Sequence, residues 1–209
     1  MRIFYDFELC ERGPELPIQP ISVGLVREDG RELYLINEAC LPNVMRHPWL
    51  SVNVRPSLPI REDGPFIYEW DAAHPEYPHV VNIDVIADLV GKFITEVSDV
   101  ELWGYFAAYD HVALCQLFGS MIDLPAGVPM FTCDIQQMIK HLSDAGVTVD
   151  LPPQPEVSHH AMWDARWNQQ AFGCIYFPER QFGELPEVSA VDMERYEQQW
   201  AEVERESNQ

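Results

Sequence analysis

The chain begins with one apolar run, Ile3-Phe4-Tyr5-Asp6-Phe7-Glu8-Leu9, that contains two acidic residues. Its apolar residues occupy both faces of an extended chain, which is typical of a strand in the centre of a sheet. Side chains alternate along a strand, so Asp6 and Glu8 share one face, roughly 6–7 Å apart. Two carboxylates in an apolar interior repel each other unless a cation neutralises them. An oxygen-only acidic set suits Mg²⁺ or Mn²⁺ and indicates metal-assisted phosphoryl chemistry.

Further candidate residues occur later in a fixed order. Asp110 follows a second apolar run, residues 102–109, and His159 precedes Asp164 with four residues between them. The individual spacings identify nothing, because Asp-x-Glu occurs three times and His-x4-Asp twice in this acidic chain. The context distinguishes the first pair, which lies in a strand-like run, whereas the other Asp-x-Glu pairs lie in polar segments. The ordered set is therefore the candidate site: Asp6, Glu8, Asp110, His159 and Asp164.

This ordered set resembles the DEDDh 3′–5′ exonucleases, which carry Asp-x-Glu in the first strand, an Asp at a later helix and His-x4-Asp at a final helix. Within that family the chain looks closest to the small 3′–5′ exoribonucleases similar to mycobacterial RNase AS. The residues that carry this resemblance are 4–8, 108–117 and 128–132, and it extends over residues 2–175. One position departs from the wider family. Many of its members have Asn four residues before the middle Asp, where this chain has Phe106.

The resemblance implies a two-metal site and a role for each residue. Asp6 is expected to bridge two Mg²⁺ or Mn²⁺ ions, and Glu8 and Asp164 to hold the ion that carries the attacking water. Asp110 is expected to serve the second ion. His159 is expected to remove the proton of the water, a role that suits histidine near neutral pH. The expected product is a nucleoside 5′-monophosphate.

The adjacent histidines pose a conflict between helix geometry and family pattern. On a regular helix, His160 and Asp164 share a face at i, i+4, whereas His159 lies about 140° from Asp164. Helix geometry alone therefore favours His160. The family pattern favours His159, placed on a loop before the first turn. We predict His159 as the general base and treat His160 as a residue of the helix start or the substrate side.

The resemblance predicts a metal-dependent 3′–5′ exoribonuclease that acts on single-stranded RNA with a free 3′ end, with a preference for adenylate. An exodeoxyribonuclease or a short-oligonucleotide exonuclease would share every ligand, because contact with the ribose 2′-OH is what distinguishes RNA. A catalytically silent binding protein on the same fold is the alternative from another class. Aromatic residues that could stack on the terminal base, or belong to the core, are Phe7, Trp103, Phe106 and Trp163.

The net charge of −21 excludes a protein that coats nucleic acid by phosphate neutralisation. Such a protein has a basic face, and thirteen lysines and arginines spread along the chain do not provide one. The charge is compatible with a nuclease that holds a few nucleotides through metal ions and base stacking. We therefore expect a short footprint on the substrate.

Length and composition indicate one globular domain. The chain has 209 residues, of which 47% are hydrophobic, enough for a sizeable core. No stretch approaches the ~20 apolar residues of a membrane span, and Met1 leads directly into the first strand without a signal peptide. Five scattered cysteines indicate reduced thiols. These features predict a cytoplasmic protein that does not enter a membrane.

The order of elements predicts the fold class. Asp-Gly at residues 29–30 predicts a hairpin. Strands are predicted at 2–9, 18–27, 32–37, 100–106 and 128–133, and helices at 83–94, 110–117, 135–142 and 159–173. Seven of the seventeen prolines fall within 42–78, which predicts a long irregular excursion there. Three strands followed by alternating helices and strands predict an α/β, ribonuclease-H-like fold, with a mixed five-stranded sheet and helices on both faces.

A change in composition predicts the domain boundary. Residues 1–177 are expected to form the exonuclease domain, and residues 178–209 an acidic C-terminal helical extension. Met193, Tyr196, Trp200 and Val203 recur at helical spacing and form one apolar stripe. This stripe suits either a helix that covers the core of its own domain or a contact in a homodimer.

Overall fold

The fold is the predicted α/β architecture. The computed structural model describes residues 1–155 and 159–177. The strands are β1 Arg2–Cys10, β2 Gln19–Arg27, β3 Glu32–Asn37, β4 Ile60–Glu62, β5 Tyr68–Trp70, β6 Val80–Val81, β7 Glu101–Gly104 and β8 Cys133–Asp134. The helices are α1 Leu41–Arg46, α2 Pro48–Asn53, α3 Ile83–Thr95, α4 Ala108–Leu117, α5 Ile135–Asp144 and α6 Ala161–Tyr176.

The main sheet is mixed and has β1 near its centre. The strand order is β6-β3-β2-β1-β7-β8. Strand β1 pairs antiparallel with β2 and parallel with β7, and β2 pairs antiparallel with β3. The predicted hairpin joins β2 to β3, where the Arg27 N–H donates to the Arg31 carbonyl oxygen at 2.8 Å. The ribonuclease-H-like sheet predicted from the order of elements is confirmed.

The sheet has six strands in the described residues, so the predicted number of five was wrong. The added strand is β6, whose two residues pair parallel with the end of β3. The predicted strand at 128–133 is shorter than expected, because β8 pairs with β7 only through Cys133 and Asp134.

The proline-rich excursion at 42–78 contains more regular structure than the sequence predicted. Helices α1 and α2 each carry a proline at the start of the helix, where the missing N–H would have no helical partner. Strands β4 and β5 form a separate antiparallel hairpin. The prolines therefore divide this segment into short elements rather than keep it irregular.

Helices cover both faces of the sheet, because β1 is apolar on both sides. Ile3, Tyr5 and Phe7 pack into one core cluster with residues of α3 and α4. Phe4 packs into the other cluster with residues of α1, α2 and α6. Asp6 and Glu8 alternate with the first set, so they lie on the side of the sheet that α6 covers.

Two predictions fall partly or wholly outside the described residues. The C-terminal extension at 178–209, with its apolar stripe and the homodimer contact proposed for it, lies outside them. The domain boundary at residue 177 therefore stays a prediction. Within residues 1–155 and 159–177, no helix is both long and apolar enough to cross a membrane.

Candidate active site

A close approach between β2 and α6 brings the final motif over the first one. Gly24 on β2 pairs directly with Asp6 on β1. A Cβ atom at Gly24 would lie 2.6 Å from the Cα atom of Met162 and would also collide with the carbonyl of Ala161. Only a glycine therefore allows the first turn of α6 to rest on β2 beside Asp6.

This arrangement gathers three of the predicted carboxylates. Asp6, Glu8 and Asp164 each present an oxygen, and these oxygens all lie within 4.8 Å of one another. Glu8 is buried, with 7% of its surface exposed. No lysine or arginine in the described part of the chain forms an ion pair with any of the three. The cluster is therefore a concentration of negative charge without a protein cation.

The electrostatic cost of gathering these carboxylates appears in their pKa values. Burial, followed by repulsion from Asp110, Asp164 and Glu8, raises the pKa of Asp6 well above its usual range. Burial and the charges of Asp164 and Asp110 do the same to the pKa of Glu8. A bound divalent cation would reverse both effects, because it favours the ionised form of each carboxylate. The all-oxygen donor set suits a hard ion such as Mg²⁺ or Mn²⁺.

Asp110 approaches the same strand from another direction. It lies in the first turn of α4, and its Oδ1 atom accepts a hydrogen bond from the Phe7 N–H at 2.8 Å. The residue pairs between β1 and β7 end at Phe4 and Trp103, so Asp110 uses a backbone donor that lies beyond them. Burial raises the pKa of Asp110 to about 7 despite this hydrogen bond. Asp110 lies outside the tight group of three, although its charge acts on Asp6.

The two histidines occupy opposite environments. The His159 side chain is 38% exposed, and its Nδ1 atom lies 3.9 Å from an oxygen of Glu8. His160 is buried, its Nε2 atom is 2.9 Å from an oxygen of Glu76, and its ring stacks on Tyr34 at a centroid distance of 4.6 Å. Helix α6 begins at Ala161, so the helical phase that favoured His160 does not apply to either residue. The geometry favours His159 as the residue facing the site.

The histidine segment is also tied to Asp164. The His160 N–H donates to the Asp164 Oδ2 atom at 3.2 Å. Burial raises the pKa of Asp164, while this hydrogen bond and the neighbouring histidines oppose the shift. The backbone at His159 has a φ of 62°, a left-handed conformation that is uncommon outside glycine. This turn separates the direction of the His159 side chain from that of His160.

The proline-rich excursion supplies contacts that the sequence did not predict. The Ser57 hydroxyl donates to the His159 carbonyl oxygen at 2.6 Å. The Trp49 ring meets the His159 ring edge-on, with 4.8 Å between centroids. Glu76 holds His160 as described above. Nothing in the sequence signals these three residues, because they lie in short elements without a hydrophobic period.

Asp134, by contrast, precedes α5 and caps it through the Gln137 N–H, a pattern that sequence can reveal.

Most of the aromatic candidates for base stacking belong to the core. Phe7, Trp103 and Trp163 are 6–7% exposed, so they are not available to a substrate. Phe106 is 63% exposed and has a φ of 55° in the turn between β7 and α4. Of the four candidates, Phe106 alone presents its ring to solvent.

Comparison with known proteins gives close relatives in sequence. No family profile matches the chain. Two curated proteins of Mycobacterium tuberculosis, from strains CDC 1551 and H37Rv, are both described as a 3′–5′ exoribonuclease. Each is 36% identical to this chain over 175 residues, which cover 84% of this chain and 93% of the relative.

Two solved structures with a similar fold are exonucleases. An apo exonuclease I aligns with a TM-score of 0.56 at 14% identity, over 86% of this chain and 42% of the other. Zinc-bound E. coli exonuclease I in complex with single-stranded DNA aligns with a TM-score of 0.57 at 16% identity, over 85% of this chain and 41% of the other. The chain thus spans less than half of these structures, and the likeness concerns the fold.

Proposed function

Since the chain belongs to the family of the mycobacterial 3′–5′ exoribonucleases, we propose that it is a metal-dependent enzyme that releases nucleoside 5′-monophosphates from the 3′ end of single-stranded RNA. The observation that carries this proposal is the cluster of Asp6, Glu8 and Asp164, whose oxygens lie within 4.8 Å of one another. Such a cluster is unfavourable in a protein interior unless it serves a cation. The preference for adenylate rests on the resemblance seen in the sequence.

The four carboxylates would supply two sets of ligands that share Asp6. Asp6, Glu8 and Asp164 would hold one Mg²⁺ or Mn²⁺ ion, and Asp110 together with Asp6 would hold a second. When bound, such ions supply a water of lowered pKa and neutralise the charge that develops on the phosphate and the departing oxygen. The hydrogen bond from the Phe7 N–H fixes the orientation of Asp110 for this role.

His159 would accept the proton of the attacking water. Its ring lies beside Glu8 and is partly open to solvent, so a water near the carboxylate cluster is within its reach. In the step, the water oxygen bonds to phosphorus while the bond from phosphorus to the 3′ oxygen of the preceding nucleotide breaks. The departing 3′ oxygen takes a proton from solvent. Ser57 and Trp49 hold the His159 backbone and ring during this transfer.

A degradation assay tests the proposal and separates its alternatives. The substrates are labelled poly(A), mixed-sequence RNA and single-stranded DNA, each with Mg²⁺, Mn²⁺ or EDTA. We expect mononucleotides from RNA with either metal, faster from poly(A), and none with EDTA. Equal rates on DNA and RNA would move the assignment to a general 3′–5′ exonuclease. The absence of turnover on all three substrates would favour a catalytically silent binding protein and contradict the proposal.

A further inference from the structure

An exposed aromatic side chain lies beside the predicted general base. Trp49, on the first turn of α2, contacts the His159 ring edge-on and leaves 49% of its own surface exposed. A large apolar ring at the edge of a polar site is a stacking surface for a nucleobase, because every base presents a π-face. Trp49 therefore has exposed surface next to the predicted general base.

Within the described residues, most lysines and arginines form ion pairs away from the carboxylate cluster. Ten of the thirteen lysines and arginines lie in the described residues, since Arg180, Arg195 and Arg205 fall beyond residue 177. Seven of these ten form ion pairs with carboxylates: Arg2, Arg27, Arg31, Arg61, Lys92, Lys140 and Arg166. Within the described ranges, the three that form none are Arg12, Arg46 and Arg55.

Two of these three arginines bracket Trp49. Arg46 is the exposed last residue of α1, two residues before α2 begins. Arg55 follows α2, where its Nε atom donates to the Ser51 carbonyl oxygen at 3.0 Å and its guanidinium stands over the Tyr68 ring at 5.7 Å. Arg12, by contrast, donates to the Pro17 carbonyl oxygen within its own loop. Cations without a carboxylate partner are thus concentrated on the segment that contacts His159.

We propose that residues 46–55 form the substrate-binding surface for the 3′-terminal nucleotides of single-stranded RNA. Trp49 stacks on a base, and Arg46 and Arg55 contact phosphates of the strand. This inference rests on the proposed function, because it assigns the occupant from the reaction. Charge complementarity supports this occupant, because two arginines that form no ion pair within the described residues flank Trp49 in the sequence of a chain of net charge −21. Such a surface holds a few nucleotides without a long basic groove.

Binding of a hydrolysis-resistant strand tests the surface independently of turnover. The probe is a 5′-fluorescein single-stranded oligoadenylate with phosphorothioate linkages, titrated with protein in Mg²⁺ at several KCl concentrations and followed by anisotropy. Arg46→Gln should weaken binding several-fold and reduce the salt dependence of log Kd by about 0.7, the value for one phosphate contact on a single strand. Adding Arg55→Gln should reduce it by about as much again.

Matched variants separate a local contact from a change in net charge or shape. Lys140→Gln removes one exposed charge from α5, where Lys140 pairs with Asp144, and should leave both Kd and salt dependence unchanged. Trp49→Leu should weaken binding about tenfold without changing the salt dependence, and Trp49→Phe should retain most of the affinity.

The inference would be overturned if the arginine and tryptophan variants bound as tightly as the wild type, or if Lys140→Gln weakened binding as much as Arg46→Gln. Turnover of the ordinary strand by the wild-type protein is measured separately. A protein that binds through residues 46–55 but releases no nucleotide would refute the proposed function and leave the binding surface standing. An active enzyme whose variants bind normally would refute the binding surface and leave the proposed function standing.

Discussion

At the scale of single residues, a left-handed backbone at His159 places two adjacent histidines in different environments. His159 adopts a left-handed conformation and faces Glu8 across 3.9 Å. The next residue, His160, is buried against Glu76 and Tyr34. A general base must reach a water molecule, whereas a buried side chain with a hydrogen-bond partner contributes to the stability of the fold. The environments therefore favour His159 for chemistry and His160 for holding the start of α6.

Alanine substitutions should separate these roles in a crossed pattern. His159→Ala should lower kcat by about 10²–10⁴-fold, the usual contribution of a general base, with little change in melting temperature. His160→Ala should lower the melting temperature more, because it leaves Glu76 partly buried without its partner. The measurements are initial rates in Mg²⁺ and calorimetric melting. His160→Gln, which keeps a donor for Glu76, serves as the control and should recover much of the lost stability. A larger kcat loss in His160→Ala than in His159→Ala would contradict the assignment.

The sequence predicted which acidic residues come together. It did not predict the backbone conformation that orients the two histidines. The strand period placed Asp6 and Glu8 on one face, and the structure has them on the face under α6. The choice between histidines could not be settled from the helical repeat, because the repeat begins only at Ala161. A left-handed backbone at a residue other than glycine has no local sequence signal. The choice of His159 follows the resemblance to a family and stays a prediction.

At the scale of elements, the contact of α6 with β2 sets the separation between the first and last carboxylates. Helix α6 carries Asp164 in its first turn, and β2 pairs with the strand that carries Asp6 and Glu8. The absence of a side chain at Gly24 allows this contact. The excursion at 42–78 adds a second constraint, because Ser57 and Glu76 hold His159 and His160 in front of the helix.

Gly24→Ala should move α6 away from the sheet and weaken metal binding. The added methyl group would collide with backbone atoms of Ala161 and Met162, which cannot rotate aside. We expect the Mg²⁺ concentration for half-maximal activity to rise about tenfold, with partial recovery at high Mg²⁺, because the ligands separate. The measurement is activity against Mg²⁺ concentration.

Gly91→Ala is the matched control for the extra methyl group. Gly91 lies within α3, and its new Cβ would meet the ring of Phe118 at 3.3 Å, a side chain that can adjust. Alanine also favours a helix more than glycine does. We expect normal Mg²⁺ dependence in this variant. An unchanged Mg²⁺ requirement in Gly24→Ala would show that the close approach does not position the site.

The excursion was the element that sequence predicted least well. The prolines there predict an irregular stretch, yet Pro42 and Pro48 lie in the first turns of two short helices. Short helices stabilised by tertiary contacts carry little periodicity of their own. For this reason the contacts from Trp49, Ser57 and Glu76 could not be anticipated.

At the scale of the whole molecule, the acidic site opposes folding when it is ionised and free of metal. The raised pKa values mean that the folded protein binds more protons at this site than the unfolded chain does. The stability that this difference provides is complete below about pH 4, the ordinary range of carboxyl groups, and is lost as pH rises through the folded values. For Asp110 that value is about 7.

The stabilisation by Mg²⁺ should therefore grow with pH. We expect the difference in melting temperature between Mg²⁺ and EDTA to be small at pH 5 and several degrees at pH 8, because only ionised ligands bind the ion. Burial lowers the pKa of His79 to about 4, so this residue destabilises the fold on acidification with or without Mg²⁺. The difference in melting temperature between Mg²⁺ and EDTA cancels this effect. Asp6→Asn should reduce the Mg²⁺ effect and raise the melting temperature in EDTA at pH 8. A difference independent of pH would argue against a carboxylate metal site.

The overall charge limits how the protein can hold its substrate. A net charge of −21 does not favour a basic groove for a long strand, so we expect substrate affinity to come from bound metal ions and a small contact surface. Composition alone predicts a short footprint, and this stays a prediction. It could not predict where the remaining cations lie, because ion pairing depends on which residues the fold brings together. A short footprint is compatible with the proposed action at the end of a strand.

The release of the terminal nucleotide is the direct test of the proposed function. A single-stranded oligoadenylate is labelled at its last internucleotide phosphate, and the first labelled product is identified. We predict that the wild type, in Mg²⁺, releases the label first as a nucleoside 5′-monophosphate. Asp6→Asn, EDTA or a 3′-phosphate on the strand should each prevent this release. Label that first appears in longer fragments, or release that persists in Asp6→Asn or in EDTA, would contradict the claim that these carboxylates form a metal-dependent 3′–5′ exonuclease site.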